Sequence, residues 1–185
     1  MNKRKIILEY SVYNGYHKNS NSDYHKGNND YNNHTNDYYY KNNLEGENSP
    51  YDNLCKTAIL AADNAYSIYS GLSVGAAVLL ENNEVILGSN QENISFPSGI
   101  CAERTALFYA GSTYPNTPVL ALALAAKEHG ELLKKAISPC GSCRQVFAET
   151  IKRFKKDFDV IMIGQDESII IKASALLPLA FNFDF

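Results

Sequence analysis

Between Asn14 and Asn48 the chain holds eleven asparagines and six tyrosines but a single aliphatic residue, Leu44. Such a stretch cannot bury enough apolar surface to offset the entropy of ordering it. Any packed core of the 185-residue chain must therefore be built almost entirely after Pro50. The expected organisation is an N-terminal extension, residues 1–49, low in complexity and largely disordered, followed by one domain over residues 50–185. Charge divides at the same place: residues 1–50 carry six basic and six acidic groups, so the formal charge of −3 belongs to the rest. An acidic core argues against binding nucleic acid through a broad basic face.

Within the extension, Lys5–Tyr13 is β-branched and aromatic with partial alternation and reads as a strand able to pair with a sheet edge. The histidines His17, His25 and His34 are spaced eight and nine residues apart, which fits no metal-ligand motif. Only Ile6, Ile7 and Leu8 follow the basic start Met1–Lys5, against the roughly 7–15 apolar residues of a secretory leader, so export is not expected. No run approaches the roughly 20 apolar residues of a membrane span. A cytoplasmic setting follows, and there four cysteines suggest free thiols, a metal or catalysis rather than disulfides.

After Pro50 the pattern is that of a packed domain. Leu54, Ala58, Ile59, Ala62, Ala65 and Tyr66 recur at helical spacing and predict a helix over 51–67. Residues 72–80 and 85–90, joined by Glu81-Asn82-Asn83-Glu84, read as a hairpin. A helix is expected over 101–111, ending at Gly111, and a buried strand over 119–126. A helix over 142–156 should turn Val146, Phe147, Thr150, Ile151 and Phe154 inward. Short strands at 160–164 and 168–172 and a short helix at 173–177 complete the chain. This order implies an α/β fold with helices on both faces of a mixed sheet.

Two segments carry the chemistry, Cys101-Ala102-Glu103-Arg104 and Pro139-Cys140-Gly141-Ser142-Cys143-Arg144, each opening a predicted helix after a loop. Catalytic zinc takes three protein ligands and keeps a fourth position open. Cys101, Cys140 and Cys143 supply three thiols, and helix N-termini favour their thiolate form. Arg104 and Arg144 are the nearest counter-charges for the excess negative charge. Glu103, too close to Cys101 to chelate beside it, is placed to move a proton at the open position. Other readings of the same residues are plain buried thiols and a closed four-thiolate structural site using Cys55. Cys55, however, lies on the inner face of the first helix, where it reads as a core thiol.

Cys-Ala-Glu followed by Pro-Cys-x-x-Cys resembles the zinc signature of the cytidine deaminases. The likeness extends to Tyr69–Ala77, Gly88–Asn93, Cys101–Phe108, Ser138–Gln145 and Leu176–Phe181, five blocks in order, and covers about residues 51–185. It points to the small homotetrameric branch with three cysteine ligands. That resemblance implies a three-layer α/β/α sandwich around a five-stranded mixed sheet. It implies one Zn²⁺ per subunit on Cys101, Cys140 and Cys143, and hydrolysis of cytidine and 2′-deoxycytidine to the uridines with release of ammonia, a pyrimidine-salvage reaction. Glu103 would carry the proton from water to N3 and then to the departing amine. The Ala102 N–H would hold the base O2, and the Ser138 carbonyl would accept from the 4-amino group. Asn90 and Glu92 would bind the ribose 3′-hydroxyl, and Arg104 would hydrogen-bond the cysteine ligands. Phe181 would pack on the base from a neighbouring subunit, with Phe96 at an inter-subunit pocket wall.

The chain departs from the family pattern at Ile68, often Pro, and at Leu72, often Phe near the pyrimidine. Leu72 keeps an apolar wall but loses an aromatic face, worth about 0.5–1.5 kcal/mol. On residue type alone Asn90 and Glu92 read as a turn cap, Phe181 as core and Arg144 as a surface charge. Substrates other than free cytidine remain open here, an aminonucleoside antibiotic or an RNA base among them, as does a non-catalytic zinc-stabilised module. A carboxylate at Glu92 opposes a 3′-phosphate and so favours a free nucleoside.

Overall fold

Ten residues of alternating type explain the centre of the molecule. Residues 119–128, Val-Leu-Ala-Leu-Ala-Leu-Ala-Ala-Lys-Glu, form a strand whose leucines face one way and alanines the other. Ala121, Ala123 and Ala125 pack with Leu54, Cys55, Ala58 and Ile59, while Leu122 and Leu124 pack with Ala106, Leu107 and Phe147. The run is apolar throughout because helices cover both faces of the sheet.

The computed structural model describes residues 10–14 and 51–182. Its strands are β1 (Tyr10–Asn14), β2 (Leu72–Leu80), β3 (Val85–Ser89), β4 (Val119–Glu128), β5 (Glu131–Leu132), β6 (Asp159–Ile163) and β7 (Glu167–Lys172). The helices are α1 (Asp52–Ala61), α2 (Ala102–Thr113) and α3 (Gly141–Phe154). The sheet runs β1-β7-β6-β4-β2-β3, with β5 hydrogen-bonded to the end of β4. Among the named strands of the described residues only β4 and β6 pair in parallel, and α3 supplies the crossover that a parallel connection needs. α1 covers one face and α2 and α3 the other, a three-layer α/β/α sandwich. The five expected strands, β2, β3, β4, β6 and β7, form its centre, and β1 and the two-residue β5 bring the sheet to seven.

The expected strand 5–13 lies partly outside the described residues. Tyr10–Asn14 pairs antiparallel with β7, from Tyr10 opposite Ile171 to Asn14 opposite Glu167, and so occupies that sheet edge. The expected disorder of the rest of the extension also lies outside the described residues.

Three expectations are corrected. The first helix ends at Ala61 and tightens into a 3-10 turn over Ala62–Asn64, so Tyr66 is exposed and not on an inner face. Ala65 is extended there, and Tyr66 exchanges backbone hydrogen bonds with Asn90 and Glu92 in place of helical ones. The second helix runs through Gly111 to Thr113, because Gly111 has helical neighbours and no positive φ to end it. The third stops at Phe154, where Lys155 turns left-handed at φ 52°.

Two glycines set how closely the helices lie on the sheet. A Cβ on Gly75 of β2 would sit 2.1 Å from the Ala58 carbonyl oxygen of α1. A Cβ on Gly88 of β3 would sit 2.3 Å from the Ala102 carbonyl oxygen and 2.6 Å from the Ala106 nitrogen of α2. Hydrogen at these positions lets helix backbone touch strand backbone. The second contact seats the first turn of α2, the turn that carries Glu103.

Candidate zinc centre and substrate cleft

Cys101 and Cys140 are the residues immediately before α2 and α3, with extended backbone at ψ 154° and 166°. That conformation is the usual one for the residue preceding a helix. Both sulfurs therefore sit at helix N-termini, where the helix dipole and unpaired N–H groups favour negative charge. Cys143 follows in the first turn of α3 and is fully buried.

The three Sγ atoms lie within 4.8 Å of one another. Cys101 and Cys140 are 3.7 Å apart and Cys140 and Cys143 3.5 Å. Tetrahedral zinc with Zn–S bonds of about 2.3 Å requires sulfurs about 3.8 Å apart. Two of the three pairs thus stand close to the spacing that zinc demands, and three ligands leave a fourth position free. Cys55 plays no part: it is buried against Ala121 and its neighbours, with its pKa pushed up to about 12 by burial.

Electrostatics around the cluster follow from its neighbours. A hydrogen bond with Cys143, assisted by Arg104, draws the Cys101 pKa down to about 5. The same hydrogen bond, with burial, pushes Cys143 up. As zinc ligands, all three cysteines would be thiolates. The Arg104 Nη2 lies 3.7 Å from the Cys101 sulfur. Arg144 is tied to backbone: its Nε donates to the Pro139 carbonyl at 2.8 Å and its Nη1 to the Leu176 carbonyl at 3.2 Å.

Glu103 is 3% exposed and is the one buried charged side chain among the described residues. Burial raises its pKa. A carboxylate so shifted is a stronger proton acceptor than an exposed one.

These groups open into a cleft of about 430 Å³. It lies beyond the carboxyl ends of β3 and β4, where open α/β sheets place ligands. Cys101, Ala102, Glu103, Arg104, Ser138 and Cys140 line its floor. Leu72, Asn90, Glu92 and Phe96 line the walls, so the structure brings every expected binding residue but Phe181 to one place. Asn90 is fixed by the backbone of β2: its Oδ1 accepts from the Val74 N–H at 2.7 Å and its Nδ2 donates to the Leu72 carbonyl at 2.9 Å. The Glu92 Oε2 accepts from the N–H groups of Tyr69 and Ser70, at 2.8 and 3.3 Å, and hydrogen bonding holds its pKa below the usual carboxylate value. Phe96 meets Tyr69 edge-to-face with ring centres 6.0 Å apart.

Phe181 is 78% exposed and does not line the cleft. Its backbone is held by Gln145. Sequence reasoning assigned no role to Gln145, nor to the cleft-lining Val74 and Ile137, because nothing local distinguishes them from ordinary helix, strand or loop residues.

A zinc-binding α/β deaminase is the class that this sheet, these three thiols and this buried carboxylate define. A family model described as the cytidine and deoxycytidylate deaminase zinc-binding region matches residues 48–156, and the chain belongs to that family. Cytidine deaminase from Halalkalibacterium halodurans is 42% identical over 129 residues, 70% of this chain and 92% of that protein. A probable cytidine deaminase from Dictyostelium discoideum is 34% identical over 120 residues, 64% of this chain and 74% of that one. Among solved structures, cytidine deaminase from Burkholderia pseudomallei matches with a TM-score of 0.60 at 36% identity, over 70% of this chain and 97% of that one. Cytidine deaminase from Mycobacterium tuberculosis gives 0.58 at 31% identity, over 74% and 100%.

Proposed function

We propose that this chain hydrolyses cytidine and 2′-deoxycytidine to uridine and 2′-deoxyuridine, with release of ammonia, at a zinc centre held by Cys101, Cys140 and Cys143. The observation that carries this reading is the trio of sulfurs at zinc-binding separation beside the buried Glu103. When bound, zinc supplies a Lewis acid that lowers the pKa of water at the fourth position.

The chain's own residues supply the rest. Glu103 takes a proton from water and delivers it to N3 of the cytosine, then carries a second to the 4-amino group. A C–O bond forms at C4, the C4–N4 bond breaks, and the nitrogen leaves as ammonia. The N–H of Ala102, in the first helical turn where N–H groups lack intrahelical acceptors, holds O2 of the base. The Ser138 carbonyl accepts from the 4-amino group and orients it. Leu72 packs on the pyrimidine. Asn90 and Glu92, both locked by backbone hydrogen bonds, bind the 3′-hydroxyl with little ordering cost. Arg104 offsets the formal −1 left by three thiolates on a divalent ion.

The cleft is of a size for a nucleoside, within the 300–1,000 Å³ of small-molecule sites. A homotetramer, with Phe181 completing a neighbour's pocket and Phe96 at the inter-subunit wall of the cleft, is supported by the exposure of both rings and of Ile94 and Leu179. The cytoplasm and pyrimidine salvage are the setting this chemistry suits, with no nucleic acid or membrane partner.

Purified protein is expected to bleach the absorbance of cytidine, and removal of metal by a chelator is expected to stop it. Preference for a polynucleotide over cytidine, or turnover that survives complete zinc removal, would overturn the reading.

A further inference from the structure

We propose that Gln145 is a positioning residue that sets Phe181 for substrate binding, by clamping the C-terminal segment to the helix that carries Cys143. The proposal rests on the reading of Phe181 as the ring that packs on the base in a neighbouring subunit.

The clamp is a closed pair of hydrogen bonds. Gln145 Nε2 donates to the Phe181 carbonyl at 2.8 Å, and the Phe181 N–H donates to Gln145 Oε1 at 3.2 Å. One side-chain amide thereby does for residue 181 what a neighbouring strand would do. Asn and Gln place an N–H donor and a carbonyl acceptor side by side on one planar amide, and Gln is the longer of the two. The preceding residue acts on the same segment: Arg144 donates from Nη1 to the Leu176 carbonyl and from Nε to the Pro139 carbonyl. Pro139 adjoins Cys140. Two consecutive side chains on α3 therefore tie the chain after Leu176 to the loop that bears a zinc ligand.

What is held is as informative as the holding. After the 3-10 turn Ala173–Leu176, residues 177–182 belong to no helix or strand. Left alone, such a terminus would sample many conformations. Gln145 fixes its backbone, yet the side chains of Leu179 and Phe181 stay 87% and 78% exposed. A clamp that served only to bury the terminus would turn these apolar groups inward. This one presents them outward in a defined place, the arrangement needed for a ring that completes a site on a second copy.

Gln145→Leu removes donor and acceptor with a side chain one atom shorter, and Gln145→Met, which keeps the length, does the same if leucine lowers expression. Two lost hydrogen bonds predict a rise of roughly five- to thirty-fold in KM for cytidine, with kcat within about two-fold. Zinc content should stay at one per chain. In a Phe181→Ala background, Gln145→Leu should raise KM no further, because the residue acts through that ring. Hydrogen–deuterium exchange over residues 177–182 should rise in Gln145→Leu. An unchanged KM, an effect that adds fully to Phe181→Ala, or a fall in kcat with loss of zinc overturns the proposal. Absence of cytidine turnover by the wild type would instead overturn the assigned reaction, and unchanged exchange over 177–182 would then still refute the clamp itself.

Discussion

Replacing the hydrogen of Gly88 by a methyl group tests the seating of α2, and with it the geometry of the carboxylate proposed to move protons, Glu103. In Gly88→Ala the new Cβ would lie 2.3 Å from the Ala102 carbonyl oxygen and 2.6 Å from the Ala106 nitrogen, both backbone atoms of α2. Ordinary contact begins near 3.4 Å, so the helix must retreat by about 1 Å. Overpacking of this kind costs roughly 1–3 kcal/mol. Against it stands the loss of backbone freedom in the unfolded chain, which favours alanine by only about 0.4–1 kcal/mol. The steric cost wins, for a net loss of about 1–2 kcal/mol and a fall in Tm of roughly 3–8 °C. The functional effect should be larger in proportion. Ala102 and Glu103 ride on the displaced turn, and a misplacement of about 1 Å costs on the order of 100-fold in rate. The assays are urea unfolding and steady-state deamination of cytidine. Gly111→Ala, on the same helix, is the control: its Cβ meets only the Arg153 Nη1 at 3.4 Å, so it should stabilise α2 by up to about 1 kcal/mol. A Gly88→Ala enzyme with unchanged Tm and kcat would show that α2 does not rest on β3 as described.

Three further outcomes are expected. Glu103→Gln should bind zinc at one ion per chain and lose essentially all turnover, since an amide fills the buried site but cannot accept and return a proton; metal analysis and cytidine assay read both. Asn90→Ala should fail twice, raising KM and lowering stability by about 1–3 kcal/mol, because the Val74 N–H and the Leu72 carbonyl lose their partners; stability at the wild-type level would confine Asn90 to the sugar. Cys55 should resist alkylation in the folded protein while labelling fully in denaturant. Its folded pKa of about 12 lies above the ordinary 9.0, so its contribution is complete below pH 9 and is lost as pH rises towards 12. The stability difference between wild type and Cys55→Ala should therefore change in that window and be flat below it.

Much was legible because the signals are local. The alternating run of β4, the hairpin turn at Glu81–Glu84 and the Cys-x-x-Cys at a helix start each act over a few residues, and each is where the pattern put it. Helix ends were less legible. Whether α1 stops at Ala61 or continues to Tyr66 depends on hydrogen bonds that Tyr66 makes with Asn90 and Glu92, over 20 residues away. Arg144 sits one residue from Cys143 yet serves two carbonyls, one of them on Leu176, which lies far along the chain. Residue type named it as a charge; only the fold chose its partner.

The chain alone determined which residues pack, which thiols and carboxylate are candidates for the chemistry, and that two of the thiols start helices, since periodicity and residue type act at short range. Tertiary structure alone decided that sulfurs about 40 residues apart meet at zinc-binding distance, that Glu103 is buried beside them, and that Gln145 reaches Phe181. Those contacts depend on how far α2 and α3 sink onto the sheet, a distance set jointly by small residues on several elements and written in none of them singly.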